Sequence, residues 1–217
     1  MPDAAAVVRI LIADDHDVVR SGLRAIVEHH PGWEVVGEAE DGKTAVNLAL
    51  ATKPDILITD YALPVMNGVE VTRQVRSRLR RTEVLMFTMH DTDEIITQAL
   101  AAGARAFLLK SDAKQYLISA IESLAARKPF FTGRLSERML DSYIEKETDR
   151  VVPLLSPRER IVVQLIAEGN SNRDISALLN VSIKTVESQR SAAMKKIDAT
   201  STAALVRYAI RNRIIEP

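Results

Sequence analysis

The chain predicts two architectures in succession: an α/β, doubly wound, five-stranded parallel sheet, followed by an all-α four-helix domain. Three observations carry this expectation. Short apolar runs alternate five times with amphipathic helical stretches up to residue 126, which is the pattern of a parallel sheet covered by helices on both faces. From residue 153 onward the punctuation is that of helices alone. Charge divides along the same line, with 13 basic against 18 acidic residues over 1–126, 6 against 5 over 127–150, and 10 against 6 over 151–217. The expected boundaries are therefore 1–126 for the first domain, 127–152 for a linker with one helix, and 153–217 for the second domain.

Within the first domain, strands are expected at about 7–12, 34–39, 54–59, 83–88 and 106–109. Between them, apolar residues recur at three- and four-residue spacing, as in Val19, Leu23, Ile26 and Val27, and again in Ile95, Ile96, Ala99 and Leu100. The linker is punctuated by Pro129, Gly133 and Pro153, and Leu135, Met139, Leu140, Tyr143 and Ile144 sit at helical spacing between them. In the second domain, Ser156-Pro157-Arg158-Glu159 forms a capping box with proline at the first helical position. Gly169 ends that helix, and Ser171-Asn172-Arg173-Asp174 opens the next. Asn180 and Val181 leave room only for a tight turn before Ser182 caps a third helix, and a fourth spans about 202–212. Two short helices joined by so tight a turn form a helix-turn-helix.

Composition narrows the function classes. Without cysteine there is neither a disulfide framework nor a thiolate metal site. Met1-Pro2-Asp3 lacks the basic, apolar pattern of a leader, and no apolar run approaches membrane-spanning length, so a cytoplasmic protein without membrane contact is expected. An acidic first domain and a basic last one point to different partners, a cation for the former and a polyanion for the latter. Their opposite charge also suggests that, in the resting chain, the acidic domain covers the basic one.

The acidic positions have a specific chemistry. Asp14 and Asp15 end the first strand, Asp60 the third, Thr88 the fourth and Lys110 the fifth. A parallel sheet gathers these carboxyl-end residues on one rim, where open α/β folds bind ligands. Two carboxylates at 4 Å repel by roughly 4 kcal/mol at an effective dielectric near 20. Either one carboxylate takes up a proton or a divalent cation neutralises the group, and few, hard, water-accessible oxygen ligands favour Mg²⁺ for the latter. Asp15 and Asp60 would ligate the ion together with the Ala62 backbone carbonyl, while Asp14 would hold it through water. Asp60 is then placed as a nucleophile toward a phosphoryl group whose oxygens Thr88 and Lys110 would hold. His16 and His90 lack metal-ligand spacing and read as neighbours of the site.

In the tail, about 100° per residue puts Ile183, Val186, Ala193, Met194 and Ile197 of the third helix on one stripe. Lys184, Thr185, Ser188, Ser191 and Lys195 fall opposite, a cationic, hydroxyl-bearing face suited to phosphates and base edges in a DNA major groove. Arg190 lies near the buried stripe, from which it either snorkels to a phosphate or packs internally.

Ile12-Ala13-Asp14-Asp15-His16, Ile58-Thr59-Asp60 through Pro64 to Gly68, Phe87-Thr88 and Leu108-Leu109-Lys110 resemble a two-component receiver domain, whose fold is flavodoxin-like. Leu155 to Arg160, Ile166 to Gly169 and Lys184-Thr185-Val186 resemble a LuxR-type helix-turn-helix. Together they make the chain similar to a NarL/FixJ-type response regulator. The resemblance implies phosphorylation of Asp60 by a histidine kinase, with autodephosphorylation and no metabolic activity. It implies a switch in which Thr88 moves toward the phosphate and Phe107 rotates inward. It further implies a homodimer on double-stranded DNA, commonly through the last helix, where Leu205, Tyr208 and Ala209 are candidates.

Departures from the pattern are Ser111 after the lysine in place of proline, Gln189 where histidine is frequent, Glu187 near the groove, and Asp198 where glycine often ends the recognition helix. Two rival readings are a DNA-binding regulator indifferent to phosphate and a phosphate sink with a protein-binding tail. A glycine-rich nucleotide loop is excluded by Asp14-Asp15-His16-Asp17, and a haloacid-dehalogenase phosphatase by Ala62, where a second acid is required.

Overall fold

The computed structural model describes residues 7–133, 135–136 and 154–215, and the chain divides into two compact units, 1–148 and 149–217. In the first unit, β1 (Val8–Ala13), β2 (Trp33–Ala39), β3 (Ile56–Thr59), β4 (Glu83–Thr88) and β5 (Ala106–Leu109) alternate with α1 (Asp17–His29), α2 (Gly42–Thr52), α3 (Gly68–Arg78), α4 (Asp93–Ala102) and α5 (Ala113–Ala125). All pairings are parallel, in the order β2-β1-β3-β4-β5-β6.

The sixth strand, β6 (Phe130–Phe131), corrects the expected count of five. It adds to the outer edge of β5, where Phe130 N donates to Arg105 O and the Phe130 ring packs beside Tyr116. A two-residue strand shows no periodicity, so its residues read as linker in the sequence. The rest of the expected linker helix falls outside the described residues, except that Leu135 is buried against the face covered by α4.

The central strands are apolar through their middles because helices cover both faces, with polar residues such as Arg9, Glu83 and Thr88 at or near their ends. One face joins Ile10, Ile12, Ile58, Leu85 and Leu108 to α1 and α5 through Leu23, Val27, Leu117 and Ile121. On the other, Met86 and Phe107 meet Ile95, Ile96 and Ala99 of α4. After β1 the chain steps outward to β2, then reverses to β3, which makes the carboxyl ends of β1 and β3 the topological switch point.

The second unit contains α6 (Pro157–Ala167), α7 (Asn172–Leu179), α8 (Ile183–Lys196) and α9 (Thr202–Arg211). Its capping signals act as the sequence implies. Ser156 and Glu159 cap α6 reciprocally, as do Ser171 and Asp174 for α7. Asn180 takes the left-handed conformation (φ 54°), and Ser182 caps α8 by accepting from Thr185 N, so the turn between α7 and α8 is as tight as expected. Val162, Val163, Leu165, Ile175, Val186, Ala193, Leu205 and Ala209 form the core.

Candidate functional site

The switch point holds the carboxylates together. Asp60 N continues the β1–β3 ladder by donating to Ala13 O, and Asp14 N donates to Ala39 O on the other side of β1. Asp14 and Asp60 are 1% and 4% exposed, while Asp15 opens to solvent. Lys110, following β5, reaches back across β4, and its Nζ lies 2.7 Å from both Asp14 Oδ2 and Asp60 Oδ2. Burial alone would lower the Lys110 pKa. Its hydrogen bonds to Asp14 and Asp60, and their negative charges, outweigh burial and leave it above the ordinary lysine value.

Ligand atoms of Asp14, Asp15, His16 and Asp60 all lie within 4.8 Å of one another. Three carboxylates grouped so closely, two of them buried, fit a hard divalent cation. His16 is closer to this cluster than the sequence suggested: its Nδ1 stands 2.7 Å from Asp15 Oδ1, and its backbone N donates to Asp14 Oδ1. The signal for it was adjacency to the acidic pair rather than any spacing motif.

Arg20 is a site residue for which the sequence carries almost no signal. It is only 6% exposed, its Nη1 donates to the Asp14 carbonyl, and its guanidinium pairs with Asp17, Glu38 and Glu40. It therefore ties α1 and the end of β2 to the backbone of the acidic pair. Its place on the buried side of α1, one residue after Val19, is the only hint available from periodicity.

The turn after Asp60 is held in unusual backbone. Tyr61 N donates to Asp60 Oδ1, and Gly68 N returns to Tyr61 O. Met66 N donates to Pro64 O around Val65, whose φ is 68°; this is the strained hand of the γ-turn, and a β-branched residue there is an outlier. Gly68 is required by close approach, since a Cβ on it would fall inside the Asp60 carbonyl oxygen. Thr88 is fully buried and its hydroxyl accepts from His90 N, and Phe107 already points inward against Met86 and Ile95. Ala62 is half-buried beside this turn.

In the second unit, Lys184, Thr185, Ser188, Ser191 and Lys195 are all exposed on α8. One expectation is corrected, and of the two placements open to Arg190 the internal one is found. Ile183 belongs to the exposed surface (45%), not to the buried stripe, because it opens the helix beside the equally exposed Val181. Arg190 is half-buried, donating to Asn172 Oδ1 and Thr202 Oγ1, so it braces α7 and α9 instead of facing outward with the other polar residues of α8. The expected dimer residues also change. Leu205 and Ala209 are fully buried in the unit's own core, where α9 packs on α6, and Tyr208 is half-buried. Arg207 and Ile210 form the outward face of α9.

Comparison with known proteins agrees with both halves. Residues 10–122 match the response regulator receiver domain, and residues 153–209 match the bacterial regulatory proteins of the luxR family. The oxygen regulatory protein NreC of Staphylococcus epidermidis is 33% identical over 216 residues, covering 96% of this chain and 99% of that protein. A two-component response regulator of the LuxR family from Aurantimonas sp. SI85-9A1 is 34% identical with a TM-score of 0.59, covering 63% of this chain and 97% of that one. The two-component response regulator RcsB in complex with DNA is 30% identical with a TM-score of 0.58, covering 93% and 96% of the two chains. Fold and site define a receiver joined to a LuxR-type helix-turn-helix, and the chain belongs to the NarL/FixJ-type response regulators. No helix among the described residues is long and apolar enough to cross a membrane.

Proposed function

We propose that Asp60 accepts a phosphoryl group from a histidine kinase and that its charge state controls DNA binding by the LuxR-type unit. The observation that carries this reading is the Lys110 ammonium, 2.7 Å from both Asp14 and Asp60 at the switch point of the sheet. An Asp60 carboxylate oxygen attacks the phosphorus, the P–N bond to the kinase imidazole breaks, and the imidazole leaves. Lys110 then pairs with a phosphoryl oxygen in place of the Asp60 oxygen, and the Thr88 hydroxyl supplies a further hydrogen bond. Asp15, Asp60 and the Ala62 carbonyl would hold Mg²⁺, with Asp14 through water. The ion supplies positive charge to the phosphoryl oxygens. The same site loses its phosphoryl group slowly to water.

Lys184, Thr185, Ser188, Ser191 and Lys195 meet phosphates and base edges in the major groove, and the chain binds as a homodimer. The outward face of α9 is the candidate contact between copies, since Leu205 and Ala209 are committed to the core. Incubation with acetyl phosphate tests the reading: Mg²⁺-dependent incorporation that Asp60→Asn abolishes is expected, together with tighter duplex binding by the labelled protein. Equal binding before and after labelling would favour a phosphate-independent regulator. Labelling without salt-sensitive duplex binding would favour a phosphate sink.

A further inference from the structure

The receiver's net negative charge conceals a polarity along the strand direction. Many of its acids, such as Asp14, Asp15, Glu40 and Asp60, stand at the carboxyl ends of the strands, whereas Glu34, Asp55 and Glu83 stand at amino ends. The opposite rim is basic. Arg76 and Arg78 end α3, Arg80 and Arg81 precede β4, Arg105 precedes β5, and Arg127 with Lys128 precedes β6. Set among them is one buried carboxylate, Glu83, with Arg127, Arg105 and Arg76 guanidinium nitrogens at 3.4, 3.8 and 4.0 Å. Asp55, at the start of β3, is taken up by Arg9 N.

Three of these cations build the platform and three others stand on it. Arg76 Nη1 donates to Arg80 O and Thr82 O, Arg127 Nη1 donates to Arg81 O, and Thr82 Oγ1 donates to Pro54 O. The loop between α3 and β4 is thereby clamped from below. Arg78, Arg80 and Arg81 are exposed on it, and their side chains enter no ion pair among the described residues. Basic residues in a helix's last turn commonly do no more than complement its dipole, which accounts for Arg76 and Arg78. Arg80, Arg81, Arg105 and Arg127 lie outside any helix, so the dipole does not explain them.

We propose that this rim is a second DNA contact, holding phosphates of the duplex outside the sequence met by α8. The inference rests on the DNA-binding reading above. Arginine, which dominates the rim, presents a planar fork that fits phosphate oxygens better than a lysine ammonium does. The loop is already ordered, so little freedom is lost on contact. A chain whose helical unit is on DNA also keeps its receiver at a high local concentration of phosphates.

The test uses the full chain, phosphorylated by acetyl phosphate with Mg²⁺, and a fluorescent duplex of mixed sequence titrated across salt. Each phosphate neutralised contributes about −0.9 to the slope of log K against log salt. The triple variant R78Q/R80Q/R81Q is expected to flatten that slope by about 2–3 per bound chain, so that between roughly 50 and 200 mM salt it loses about 40-fold less affinity than the parent. All three side chains are exposed, and an unchanged thermal melt confirms the fold. A slope equal to the parent's overturns the proposal, and if self-association or kinase transfer weakens instead, the rim serves an acidic protein. Lys184→Gln is the comparison variant: a flattened slope there with none in the triple variant overturns the rim alone. A parent with no salt-sensitive duplex binding sinks the DNA-binding reading itself, and the proposal with it.

Discussion

At the residue scale, the acidic site is defined by what leaves no freedom around Asp60. Gly68 packs its bare Cα against the Asp60 carbonyl, so Gly68→Ala overpacks the turn and is expected to cost about 1–3 kcal/mol in urea unfolding, with weakened labelling of Asp60. Arg20 is buried among Asp17, Glu38 and Glu40 while holding the Asp14 carbonyl. Arg20→Ala leaves the buried Asp14 carbonyl without its donor, while Asp17 and Glu40 turn to water, and is expected to cost about 1–3 kcal/mol in the same assay, with Arg20→Lys intermediate because an ammonium cannot reproduce the fork.

Lys110 has a raised pKa, so its contribution is complete below the ordinary lysine value near 10.4 and is lost as pH rises above that, through the folded value. It therefore remains a cation throughout the neutral range. Lys110→Gln removes the charge that partly neutralises Asp14 and Asp60, so calorimetry should show tighter Mg²⁺ binding alongside poorer phosphoryl retention.

At the scale of elements, the second unit is held by its caps. Glu159 is buried, its desolvation alone would raise its pKa, and the hydrogen bonds from Lys196 and Ser156 lower it overall. A depressed carboxyl pKa stabilises above the unfolded value near 4.3, and that stability is lost as pH falls through the folded value. Glu159→Gln keeps the cap, because glutamine also serves at that position, but loses the charge paired with Lys196; it should therefore lower the thermal midpoint at pH 7, at a cost of up to about 1 kcal/mol, and show a smaller loss than the parent on acidification below pH 4.

Helix α8 is followed by Asp198 in the left-handed region, φ 53°. That is the conformation glycine adopts without strain, so Asp198→Gly is expected to raise stability by up to about 1 kcal/mol in chemical denaturation. β6 shows the limit of element-scale reading: two phenylalanines become a strand only because β5 offers them an open edge.

At the scale of the whole molecule, a receiver unit and a LuxR-type unit of opposite charge are joined in one chain. Phosphorylation is expected to increase duplex affinity of the full chain at fixed salt, whereas Asp60→Asn should bind at the unphosphorylated level with or without acetyl phosphate; anisotropy titrations check both. The alternation of strands and helices was legible because each element repeats its pattern over several turns or pairs. The rim was legible too, since residues at strand carboxyl ends converge in any parallel sheet. What stayed hidden was whatever depends on which side of an element faces a neighbour. Leu205 and Ala209 have the spacing of a surface stripe and the burial of a core, and Arg190 spends its guanidinium on Asn172 and Thr202.

The sequence by itself determined the two-part architecture, the helix-turn-helix with its caps, and the strand-end positions of Asp14, Asp15, Asp60, Thr88 and Lys110, because periodicity, capping and strand ends are local properties. Only the tertiary structure decided that Lys110 bridges Asp14 and Asp60, that Arg20 belongs to the rim, and that the basic residues of the receiver collect at the opposite end. Those are distances between residues far apart in the chain, and packing sets them.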